Sequence, residues 1–182
     1  MPKPSIPRRT HRSTGGLLVA LAAVLATTGC ASIRLADARA AYFQNELSHL
    51  QYQRSCEQLW GDVLRLLASK GYPLEGRDRE YTAEGRQGGF AQLVSGGSET
   101  KRTPDGGLTM RTGWDSSMTR YQVTGYQPAP NACQVAFLYQ WQDDVDPATV
   151  HEAQGWQMEL DLLRRVDPAA ASQMAAGAPK KG

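Results

Sequence analysis

Apolar residues recur at spacings of three and four from Cys56 to Leu67 (Cys56, Leu59, Trp60, Val63, Leu64, Leu67), forming one stripe of an amphipathic helix. Ser55 stands at its N-cap with Gln58 three residues on, a capping-box pattern, and Gly71 supplies the stop. The spacing predicts a helix over about 55–70. Residues 132–142 alternate strictly instead: Cys133, Val135, Phe137, Tyr139 and Trp141 share one face, and Gln134, Ala136, Leu138, Gln140 and Gln142 the other. That period of two predicts a strand with one face on a core. Shorter strands are expected at 72–76, on an edge because Pro73 cannot donate to a ladder, and at 81–84. Phe90, Leu93 and Val94 give a weak strand signal within the Gly-, Ser- and Thr-rich stretch 85–107. Gly106-Gly107 reads as a turn into a strand at 108–112, and 120–126 places Tyr121 and Val123 on one side. Asp146-Pro147 has the N-cap and first-turn residues of a helix whose face is Val150, Ala153, Trp156, Leu160, Leu163 and Val166. Asp167-Pro168 repeats that signal for a short helix through about Met174.

Helix, several strands, then helix is an α+β order, implying an antiparallel sheet with helices packed on one face. The expected organisation is a signal segment at 1–29 and a first helix or partly ordered tether at 30–53. A single small domain follows at 54–175, with a disordered tail at 176–182.

Composition changes the picture mainly at the N-terminus. The formal charge of the 182-residue chain is +2. Lys3, Arg8, Arg9 and Arg12 all precede Cys30 and no acid does, so the chain from Cys30 onward carries 16 basic and 18 acidic residues. A mildly acidic domain lacks the clustered cations that nucleic-acid binding needs. After the basic start comes an apolar run, GGLLVALAAVLA, from Gly15 to Ala26. It has the length of a signal-peptide core, roughly 7–15 residues, and is short for a membrane span of about 20.

Leu25-Ala26-Thr27-Thr28-Gly29-Cys30 resembles a lipobox, the site at which bacterial signal peptidase II cuts before a lipid-modified cysteine. Gly29 and Cys30 match that motif, and Thr27 stands where Leu is commonest. The resemblance implies a thioether-linked diacylglycerol on Cys30 and usually an acyl chain on its new amino group. Two or more chains hold a protein stably to a bilayer where one does not. Ala31 in place of Asp resembles the sorting signal for the outer membrane, which implies anchoring at its periplasmic face. An ordinary secreted protein, or an uncleaved anchor, with Cys30 incidental is the alternative. The stretch from Cys56 to Glu84, a helix with a central Trp followed by G-Y-x-L and D-R-E-Y-T, also resembles the accessory C-lipoprotein domains of the outer-membrane barrel-assembly machine. It implies the same fold class and carries over no site residue.

With Cys30 assigned to lipid, Cys56 and Cys133 remain. In an oxidising compartment one bridge is the simplest use of the pair. Free buried thiols or a metal site are the alternatives, though two cysteines without a nearby histidine make poor zinc chemistry. The bridge would close a loop worth about 4–5 kcal/mol at most.

No G-x-S-x-G elbow, H-E-x-x-H or phosphate loop is present, and no cofactor or metal is expected. Asp143, Asp144 and Asp146 lack the Gly turn and distal Glu of a calcium loop and read better as helix-start acids. Residues 77–80, R-D-R-E, read as a solvated turn. Trp114, Tyr121, Tyr139 and Trp141 are candidates for a ligand groove, although strand aromatics commonly serve as core or cross-strand partners. The expected function is a non-catalytic binding or scaffold domain, tied to the membrane by its lipid and meeting an envelope protein. A module for lipid or peptidoglycan fragments is the alternative. A hydrolase using Glu84, Glu99 or Asp115 ranks last.

Overall fold

A computed structural model describes residues 15–80 and 97–180, with side chains from Ser32 onward. The expected strand at 81–84 and the signal at Phe90, Leu93 and Val94 lie outside the described residues. Helix α1 (Gly15–Ser48) is a single run of 34 residues, so 31–48 is a helix rather than a loose tether. The backbone of Leu25 to Cys30 falls within it, and the side chains there lie outside the described set.

Helix α2 (Cys56–Ser69) begins as its sequence dictates. Ser55 Oγ accepts the Gln58 N–H at 3.3 Å, and Gln58 Oε1 accepts the Ser55 N–H at 3.1 Å. These bonds satisfy two backbone donors at a helix start. At the other end Gly71, with φ +85°, adopts the left-handed turn that glycine enters without steric cost.

Five strands form one antiparallel meander in the order β1 (Ser98–Arg102), β2 (Leu108–Arg111), β3 (Thr119–Ala129), β4 (Ala132–Gln142), β5 (Val150–Gln154). Register sets Tyr121 against Tyr139, Val123 against Phe137 and Gly125 against Val135. Those residues turn inward toward α2 and α3 (Trp156–Val166). Leu59, Val63, Leu67, Val123, Phe137, Leu162 and Leu163 form the centre of this core. The single α+β domain is therefore a sheet with helices on one face, and the other face carries its polar residues. Helix α4 (Pro168–Gly177) follows α3, and Phe43 of α1 stacks on Trp156 with ring centroids 5.2 Å apart.

A disulfide joins Cys56, the first residue of α2, to Cys133 of β4. Gly125 lies beneath it. A Cβ there would stand 3.2 Å from Cys56 Sγ and 3.1 Å from the Trp60 ring, so only glycine fits without displacing either.

Four segments depart from the expected pattern. Residues 72–76 form no strand: Leu74 buries its side chain and the Pro73 carbonyl accepts the Gly113 N–H, before a 3-10 turn at Gly76–Arg79. That turn is not wholly solvated. Asp78 is buried and accepts both the Thr100 N–H (2.8 Å) and the Thr100 hydroxyl (2.6 Å). Asp146-Pro147 starts a turn, not a helix, because Asp146 accepts the Ala148 N–H and the Thr149 hydroxyl and its carbonyl accepts the Thr149 N–H. Residues 150–154 then pair with the open edge of β4, and the helix begins only at Trp156. At the C-terminus α4 continues to Gly177 and Ala178 is buried, so the tail expected from 176 is structured through these residues.

Candidate functional site

Three of the four proposed groove aromatics meet, but as a filled stack. Tyr121 packs edge-on against Tyr72 (5.0 Å) and tilted against Tyr139 (5.4 Å); Tyr139 stacks on Trp141 (5.5 Å), and Trp141 on His151 (5.2 Å). Tyr139 and Trp141 thus give ring faces to one another and to His151, while Tyr121 is held by edge-on and tilted contacts. Burial raises the Tyr121 and Tyr72 phenols above their ordinary range, so both stay protonated hydrogen-bonding groups. Trp114 does not join them. Its ring lies against the Arg120 guanidinium, 4.1 Å from the ring centroid. Arg120 neighbours Tyr121 in β3 and so points to the opposite face.

That opposite face holds the more promising geometry. A cleft of about 320 Å³ lies where the end of α1 approaches the β4 edge. Gln122, Thr124, Gln134 and Leu138 line it from the sheet, Ser48 from α1, and Glu159 from α3. Its form follows from how the edge of β4 is covered. Tyr52 exchanges both backbone hydrogen bonds with Cys133, at 2.8 and 3.0 Å. β5 covers 138–142, and the Gly155 N–H closes on the Phe137 carbonyl at 2.7 Å. By the alternation of an antiparallel strand the Val135 peptide groups face the same way, into the space between these two covers.

Glu159 completes the edge. It is only 3% exposed. Its Oε1 accepts the Phe137 N–H at 3.1 Å and its Oε2 accepts the Gln154 side-chain amide at 2.9 Å. Burial raises its pKa above the ordinary 4.5, opposed by those two hydrogen bonds. The Tyr52 phenol is raised as well, by burial first and by the Glu159 charge second. Sequence reasoning passed over Glu159, although the signal was present: an acid three residues after Trp156, on the stripe that buries α3.

The remaining candidates have structural duties. Asp143 accepts the Val145 and Asp146 N–H groups and lies 3.3 Å from His151 Nε2, contacts that lower its pKa, the backbone hydrogen bonds foremost. Among the described residues no group of three His, Cys, Asp or Glu could hold a metal ion. Asp115 accepts the Ser117 and Thr119 N–H groups and the Thr119 hydroxyl. Glu99 accepts the Arg77 N–H at 3.1 Å, and Glu84 lies outside the described residues. No described helix is long and apolar enough to cross a membrane. No protein-family model, curated protein or solved structure matches the chain.

Proposed function

We propose that this protein is a lipid-anchored lipoprotein of the bacterial envelope, a non-catalytic binding or scaffold domain at the periplasmic face of the outer membrane. The observation that carries the reading is the continuity of α1 from the lipobox cysteine into the folded core. Phe43 and Leu47 are buried in that core, whereas most positions of 32–41 are exposed. Roughly 13 residues separate Cys30 from Phe43, about 20 Å at about 1.5 Å per residue. The helix thus serves as a stalk that sets a stand-off between bilayer and domain. Ile33, 63% exposed near the anchor end, is where a membrane surface would cover apolar area.

The described acids considered for hydrolysis, Glu99 and Asp115, hold turns and backbone donors, which favours a binding role over a catalytic one. A module for lipid or peptidoglycan fragments is the second reading, and the cleft beside Glu159, which combines apolar walls with a few polar groups, favours it. Fractionation of cells carrying Cys30→Ser tests the anchor. The wild-type protein partitions with outer membranes and the variant should leave them; a variant that stays in that fraction overturns the proposal.

A further inference from the structure

We infer that Arg111 and Arg120, on the open face of the sheet, form a binding site for an oxyanion, the carboxylate or phosphate group of a ligand. The inference deepens the binding role proposed above, but it needs only this face of the sheet and not the lipid.

Arg111 pairs across the sheet with Gln122, and Arg120 lies two residues before Gln122 in β3. The two arginines are therefore diagonal neighbours on one face; such residues stand about 7–8 Å apart, with their β-carbons somewhat closer, within reach for long side chains. Arg120 is held in place. Its Nε donates to Gln140 Oε1 at 2.7 Å while the Trp114 ring lies against its guanidinium. Gln140, itself buried, spends its amide N–H on Glu152. These contacts use Nε and one face of the guanidinium, and among the described residues its terminal N–H groups join no ion pair.

No ion pair joins either arginine to an acid among the described residues. Glu152 is the acid nearest in register, opposite Gln140, and it is engaged by that amide. Two neighbouring guanidiniums repel one another: burial first and Arg111 second lower the Arg120 pKa, and the Glu152 charge opposes them only in part. A shared oxyanion removes that repulsion. The planar fork of arginine matches the two oxygens of a carboxylate or phosphate, and a guanidinium already fixed by stacking loses little freedom on binding. The cleft begins one row away, at Gln122 and Leu138, so the neutral body of a ligand has a place beside the anion site.

Titration of the full chain with inorganic phosphate and, separately, acetate, at ionic strength held constant with chloride, tests the site. Amide, indole and arginine side-chain N–H signals are followed by NMR. The Trp114 indole and Arg120 Nε–H should shift saturably together. Arg111→Gln and Arg120→Gln should each weaken binding about tenfold or more, the loss of a charge-assisted hydrogen bond. Arg120→Lys, which keeps the charge but not the fork, should also weaken it. Tighter phosphate than acetate assigns the anion to a phosphate ester, and the reverse to a carboxylate. Shifts that never saturate, or saturation undiminished in both glutamine variants, overturn the proposal. Neither result bears on whether Cys30 is acylated.

Discussion

Replacing Glu159 distinguishes its two properties, an acceptor for a strand N–H and a buried charge. Glu159→Ala removes the acceptor of the Phe137 N–H and the partner of Gln154. A buried donor left unpaired costs about 1–3 kcal/mol. The adjoining cleft gives water a route to the vacated position, which puts the expected loss in the lower half, about 1–2 kcal/mol. Glu159→Gln keeps an oxygen for the Phe137 N–H and removes the charge. Its amide faces that of Gln154, which can turn its own oxygen inward, so the cost should stay below about 1 kcal/mol at neutral pH. The pH dependence gives the sharper test. Burial raises the Glu159 pKa above 4.5 in the folded state, so the native protein holds this proton more tightly than the unfolded chain. The stability contributed by the group is then fully present below its unfolded value and is lost as pH rises through the folded value. Urea unfolding of oxidised wild type and Glu159→Gln across this range should show the variant gaining on the wild type as pH rises. A difference independent of pH, or a glutamine variant as damaged as the alanine one, would refute the reasoning.

Three further outcomes follow from the core. Replacing both Cys56 and Cys133 with serine opens a loop of 77 residues and should cost up to about 4–5 kcal/mol, read as a lower urea midpoint. Gly125→Ala sets a methyl against Trp60 and the disulfide and should destabilise by about 1–3 kcal/mol in the same assay; an unchanged midpoint would mean that this contact is loose. Asp78→Ala removes the acceptor of the Thr100 N–H and hydroxyl, and Thr100 Oγ1 in turn accepts the Trp60 indole N–H at 2.7 Å. It should cost about 1–3 kcal/mol and alter the near-UV signal of Trp60, with Asp78→Asn less severe because it keeps one acceptor.

The parts of the fold that were legible in sequence are those whose period is enforced by burial on one side. The stripe from Cys56 to Leu67 and the alternation from Cys133 to Trp141 both face the core, and both elements formed where expected. The two inward cysteines of those elements are bonded to one another. Legibility failed at edges. β5 has little buried surface, so Val150 and Ala153, three apart, fit a helical stripe equally well, and only the free edge of β4 decides the matter. β1, S-E-T-K-R, is polar throughout and takes its place from β2 and from Asp78. Of the four aromatics expected to share a groove, Trp114 stands apart because it sits in the β2–β3 loop against Arg120, a neighbour of Tyr121 that alternation sends to the other face. Glu159 and the Arg111–Arg120 pair were hidden because their meaning depends on neighbours far along the chain: a strand N–H that the sheet ladder does not pair in one case and a cross-strand diagonal in the other.

The proposed stalk, its stand-off and the proposed location of the domain all depend on a lipid on Cys30. Mass spectrometry of the N-terminal peptide of protein purified from bacterial envelopes reads it directly. The expected result is a chain beginning at Cys30 with a diacylglycerol thioether and an acylated amino group. A mature protein that retains residues 1–29, or one that begins elsewhere with Cys30 unmodified, would contradict it.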